Sequence, residues 1–126
     1  MNKKVLDSSA ILAVIFQETG AEIVRPLLDN SLVSTVNLAE VCTKLAEKNI
    51  FDKATIDDLN KLGLEIVDFD FEQAVKAAEL RPLTRHLGLS LGDRSCLALA
   101  MLRNTAAVTA DRDWKKLKIC AVQVIR

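Results

Sequence analysis

Val5-Leu6-Asp7-Ser8-Ser9-Ala10, running straight on into Ile11-Leu12-Ala13-Val14-Ile15-Phe16, is the stretch that decides the fold. A short apolar run closes on a carboxylate, and a longer apolar run opens on serines. That pattern predicts a strand over residues 3–7 handing over to a helix over 9–17. The same hand-over recurs. A strand is expected at 32–35 before a helix at 37–48 that carries Glu40, and another at 106–109 before Asp111 and a short helix at 112–117. Asp93 opens a helix over 92–104 rich in small residues.

Between these blocks the pattern predicts helices at 21–29 and 53–62, the latter stopping at Gly63, then a strand at 65–69. A helix at 71–80 is expected to break at Arg81-Pro82, and the last strand falls at 119–125. Strands alternating with helices imply βαβ units: an α/β fold, a parallel sheet flanked by helices. With no linker or repeat, residues 1–126 read as a single domain.

Strand ends of an open parallel sheet share one rim, so Asp7, Glu40, Asp93 and Asp111 meet there despite their separation in sequence. Clustered acids repel unless protons or a divalent cation relieve them. A hard cation that takes oxygen ligands is the natural occupant, which points to metal-dependent phosphoryl transfer. Each acid also has a purely structural reading. Asn37-x-x-Glu40 and Ser90-x-x-Asp93 match capping boxes, and Asp7 and Asp111 are good N-caps. Asp70 serves as an internal control: it too sits at a strand–helix junction, but on a strand expected at the sheet edge, and is expected to be a cap only.

Composition narrows the class. No apolar run approaches the roughly 20 residues of a membrane span, and no secretory signal pattern opens the chain, so the cytoplasm is the expected location and no membrane partner is expected. Cys42, Cys96 and Cys120 are widely spaced and read as small buried hydrophobes; His86 is the only histidine, which excludes clustered imidazole ligation. With four Phe, one Trp and no Tyr, a base-stacking binder is disfavoured. The net charge of zero hides a divide, −6 over residues 1–80 and +6 over 81–126. Basic charge beside an acidic rim suits a polyanionic substrate, with a solvated face as the plainer reading. Residues 10–16 leave the first helix without a polar face, so it is either deeply buried or covered by another chain.

The ordered set VLDSSA, NLAEV, LSLGDRSCLALA and VTADRDW resembles the PIN-domain ribonucleases, and more narrowly the VapC-like toxins of type II toxin–antitoxin modules. The resemblance covers almost the whole chain. It implies a three-layer fold with a five-stranded parallel sheet in the order 3-2-1-4-5. It implies a Mg²⁺- or Mn²⁺-dependent endoribonuclease with Asp7, Glu40 and Asp93 at the metal, Asp111 as a more variable fourth acid, and Asp113 as an outer or substitute ligand. Ser9 and Thr109 fall beside the site, where the family often carries a hydroxyl. Asn37 departs from a commoner Ser or Thr. An RNA substrate, a cognate antitoxin over the first helix and a homodimer are likewise implied. Arg85, Arg94, Arg112, Lys115 and Lys116 are the candidates for holding the RNA backbone. Two other readings stay open: a PIN-like binding module with little nuclease activity, and a housekeeping PIN nuclease outside any toxin–antitoxin pair.

Overall fold

A computed structural model describes residues 3–126. Five parallel strands form one sheet in the order β3-β2-β1-β4-β5. They are β1 (Lys4–Leu6), β2 (Ser31–Ser34), β3 (Glu65–Val67), β4 (Ala107–Thr109) and β5 (Val122–Val124). β1 lies at the centre, with Val5 opposite Leu32 on one side and Ala107 on the other. The winding reverses between β1 and β4, where a ligand site is expected in such sheets.

Period-two alternation divides the core. Val5, Leu32 and Ala107 face one layer, packed against Ala77 and Leu80 of α5 (Phe71–Thr84), Leu97 and Leu99 of α6 (Leu91–Leu102), and Trp114. Leu6, Val33 and Val108 face the other, against Ile11 of α1 (Ser8–Ile15), Val24 of α2 (Ala21–Val24), and Val41 and Leu45 of α3 (Thr35–Glu47). α4 (Lys53–Asn60) runs into β3 through Gly63, whose φ of 87° suits a residue without Cβ.

Several boundaries differ from expectation, each for a local reason. α2 gives way at Arg25-Pro26 to a 3-10 helix over Arg25–Asn30. α5 runs through Pro82, because a proline in the last turn forfeits only the bond to Ala78, whose residue is solvent-exposed. α3 starts two residues early on Ser34, whose hydroxyl accepts from the Val36 N–H. Asn37 is therefore not a cap, and the expected Asn37–Glu40 capping box does not form. α1 is covered largely by its own chain: Ala10, Ile11 and Ala13 are buried, while Leu12, Val14, Ile15 and Phe16 are half-buried on the same cluster.

Candidate active site

Asp7 ends β1 and caps α1, accepting from the Ala10 N–H at 2.9 Å. It is 4% exposed and receives two hydroxyl protons, from Ser9 at 2.7 Å and Thr109 at 2.5 Å. Both hydroxyl oxygens then accept backbone N–H groups of the loop after β4, Ser9 from Ala110 and Thr109 from Asp111. Each serine or threonine proton is thus committed to Asp7, which fixes Asp7 as the acceptor at the centre of this network. Burial pushes its pKa up to about 6 against the pull of these hydrogen bonds, and the negative charge of Asp93 adds to the rise.

Asp93 occupies the third position of α6 in a true capping box with Ser90. One carboxylate oxygen takes the Ser90 N–H at 3.0 Å, and the other has no protein donor among the described residues. Glu40 projects from the exposed second turn of α3 and accepts from Asn37 Nδ2 at 2.9 Å. Its carboxylate lies against Gly92: a Cβ built there would stand 2.3 Å from Glu40 Oε2. Glycine is required so that the α3 acid can reach the first turn of α6. The charges of Asp7, Asp93 and Glu40 all bear on the buried Cys96 thiol, whose pKa is raised first by burial and further by these acids. Glu40 of α3 and the first turn of α6 thus meet at Gly92, one residue from Asp93.

Asp111, exposed two residues past β4, caps the 3-10 helix Arg112–Lys116 and is tied to Asp7 through Thr109. Asp113 pairs with Lys116 at 3.2 Å, and its backbone N–H donates to the Asp111 carboxylate. Among the described residues no three acidic, Cys or His groups are close enough to form a ready-made metal cage. The donor set nevertheless fits a hard divalent ion. It is all oxygen, it includes a carboxylate whose pKa is raised by burial and further by the charge of Asp93, and such ions keep several waters as ligands.

The basic residues separate. Arg85 and Lys115 are exposed, and Arg112 donates Nε–H to the Arg126 carbonyl. Arg94 turns inward: its guanidinium donates to the Ala77 carbonyl at 2.9 Å and its Nε is buried without an acceptor. It ties α6 to α5 and is not presented as a phosphate hand, because the turn after Asp93 points it across the helix pair. A groove of about 530 Å³ was not anticipated; Ser9, Leu12, Phe16, Lys44, Lys48 and Arg126 are among its lining residues. Lys44 and Lys48 follow Glu40 by four and eight residues, a spacing that keeps them on the adjoining side of α3 and was available in the sequence. Trp114 is fully buried in the core.

The chain is an open parallel α/β protein whose sheet reverses its winding beside the buried Asp7. The model of the PIN domain family matches residues 4–119, and the chain belongs to that family. A VapC ribonuclease of Mycobacterium bovis is 31% identical over 108 residues, covering 78% of this chain and 82% of the relative. Ribonuclease VapC42 of Mycobacterium tuberculosis matches to the same extent. Among solved structures, a toxin–antitoxin complex from Klebsiella pneumoniae superposes with a TM-score of 0.80 at 17% identity, covering 98% of both chains. DNA-bound VapBC from Salmonella typhimurium gives 0.78 at 17% identity over the full length of each chain. These structural matches share the fold: the same three-layer architecture as the present chain.

Proposed function

We propose that the protein is an endoribonuclease that hydrolyses RNA phosphodiester bonds with Mg²⁺ or Mn²⁺ and acts as the toxin of a toxin–antitoxin pair. The observation that carries this reading is the seating of the Glu40 carboxylate against Gly92, one residue from Asp93, with the buried Asp7 at the reversal point of the sheet. The names of the curated relatives, both ribonucleases, support the substrate class.

Asp7 and Asp93 would ligate the ion directly, with Glu40 and Asp111 completing the set directly or through water; Asp113 stays a candidate outer ligand. A bound divalent ion lowers the pKa of a coordinated water and offsets charge on the phosphodiester. Ser9 and Thr109 hold the Asp7 carboxylate in one orientation, so its oxygens need no reorganisation when substrate arrives. Arg85, Arg112, Lys115 and Lys116 are the proposed contacts to the RNA backbone, joined by Lys44 and Lys48 of the groove that opens beside Ser9. An antitoxin segment over Leu12 and Phe16 of α1 would close that groove and block the rim. A second copy is proposed to pair along α5, where Phe71, Val75, Ala78 and Pro82 recur on one exposed face and Phe71 is 83% exposed.

Expression in a bacterial host is expected to arrest growth, Asp93→Asn to abolish the arrest, and co-expressed antitoxin to relieve it. Purified wild-type protein should bind Mn²⁺ by calorimetry and cleave RNA, and Asp93→Asn should lose both together. Equal cleavage by the variant, or no metal binding by the wild type, would overturn the reading. The two alternatives separate in the same measurements. A binding module need not bind metal, and a housekeeping nuclease would cleave without arresting growth.

A further inference from the structure

Asn37 is 1% exposed, yet neither its burial nor its amide is explained by helix capping, which Ser34 already performs. Its Nδ2 spends both protons: one on Glu40 Oε1 at 2.9 Å, the other on the Gly92 carbonyl at 3.0 Å. Two acceptors facing one nitrogen fix which end of the amide is which. The opposite atom, Oδ1, is then buried without a donor, an arrangement that folding alone disfavours and that calls for a local reason. Gly92 supplies the other half of the arrangement. Any Cβ there would overlap the Glu40 carboxylate, at 2.3 to 2.5 Å from its three atoms.

We infer that Asn37 is a positioning residue, a two-pronged donor that seats the Glu40 carboxylate in the space left by the missing Gly92 side chain, one residue from Asp93. The bond to the Gly92 carbonyl references Glu40 to α6 and not merely to its own helix. Any drift between α3 and α6 therefore carries Glu40 and Asp93 together. A hydroxyl at residue 37 owns one proton and makes one of these two bonds, never both. An amide is the residue type that makes the pair. The inference rests on the divalent-ion reading given above and adds to it the device that sets the spacing of two of its acids.

The test is Mn²⁺ calorimetry on the full chain, with the metal alone as probe and the unfolding temperature of each variant alongside. Asn37→Leu keeps the volume and removes the donors. It is expected to weaken Mn²⁺ binding about tenfold or more, as losing an outer partner of a ligand does, without lowering the unfolding temperature. Asn37→Thr, with one donor, should fall between. Glu40→Gln should weaken binding at least as much. In the Asn37→Leu/Glu40→Gln pair the affinity should equal that of Glu40→Gln, because the amide acts only through the carboxylate. Gly92→Ala provides an independent arm, displacing Glu40 from the other side with Asn37 intact. Wild-type affinity in Asn37→Leu, or losses that add in the double variant, would overturn the inference while wild-type Mn²⁺ binding leaves the proposed function standing. Absence of Mn²⁺ binding in the wild type overturns both.

Discussion

Asp7 and Asp70 are built alike and live differently. Each follows a strand in extended conformation, Asp7 directly after β1 and Asp70 three residues past β3, and caps a helix by accepting an N–H three residues on, at 2.9 Å in both cases. Asp70 follows the edge strand β3, is exposed, and its carboxylate has that single hydrogen-bond partner among the described residues. Asp7 follows the central strand, is buried, and gathers Ser9, Thr109 and the field of Asp93. Local geometry is the same; topology supplies everything else. A carboxylate becomes a candidate for chemistry when its strand sits where others can reach it.

Asparagine at each position should break the comparison open. Asp7→Asn keeps a capping oxygen and removes the buried charge, so Mn²⁺ binding and cleavage should fall by about a hundredfold or more. The same variant should be more stable than wild type when both are metal-free at pH 7.5. A pKa raised from 3.8 to about 6 corresponds to about 3 kcal/mol that the folded state loses by ionising Asp7. The sign gives a pH signature. Asp7's contribution is fully present below pH 4 and lost as pH rises through 6, so metal-free wild type should gain about 1–2 kcal/mol relative to the variant between pH 7.5 and 5 in urea unfolding. An unchanged difference across that window would contradict the burial argument.

Beside Asp70 the expected effect concerns assembly. Phe71→Glu places a charge on the exposed stripe of α5 and should shift sedimentation from dimer to monomer with the fold intact. A variant that still sediments as a dimer would place the interface elsewhere. The smallest effect belongs to Asp70→Asn. Asparagine caps nearly as well, so stability should change by no more than about 1 kcal/mol, with Mn²⁺ affinity and cleavage unchanged. A loss of metal binding there would erase the distinction between the two aspartates.

Much of this was legible in the residues. Alternating strand and helix patterns placed every strand of the sheet, because period and punctuation are local signals. Asn37 was misread because Asn-x-x-Glu satisfies the capping pattern as well as Ser34 does, and only the packing of α3 on α6 distinguishes a cap from a clamp. Arg94 was misread for a similar reason. Its charge is visible in sequence, whereas the Ala77 carbonyl that captures it belongs to a helix 17 residues earlier. The groove of Lys44 and Lys48 escaped notice because their charges lie in the acidic part of the chain, where net charge conceals local sign.

The hydrogen bond from Thr109 to Asp7 joins residues 102 apart in the chain. A ribosome adding about 5–20 residues per second makes the aspartate some 5–20 s before the threonine that orients it. Throughout that interval β1 lacks β4 as its neighbour, and the nascent polypeptide has no assembled rim. A polypeptide of this design completes the hydrogen bonding of its buried aspartate only once the β4 segment has been made.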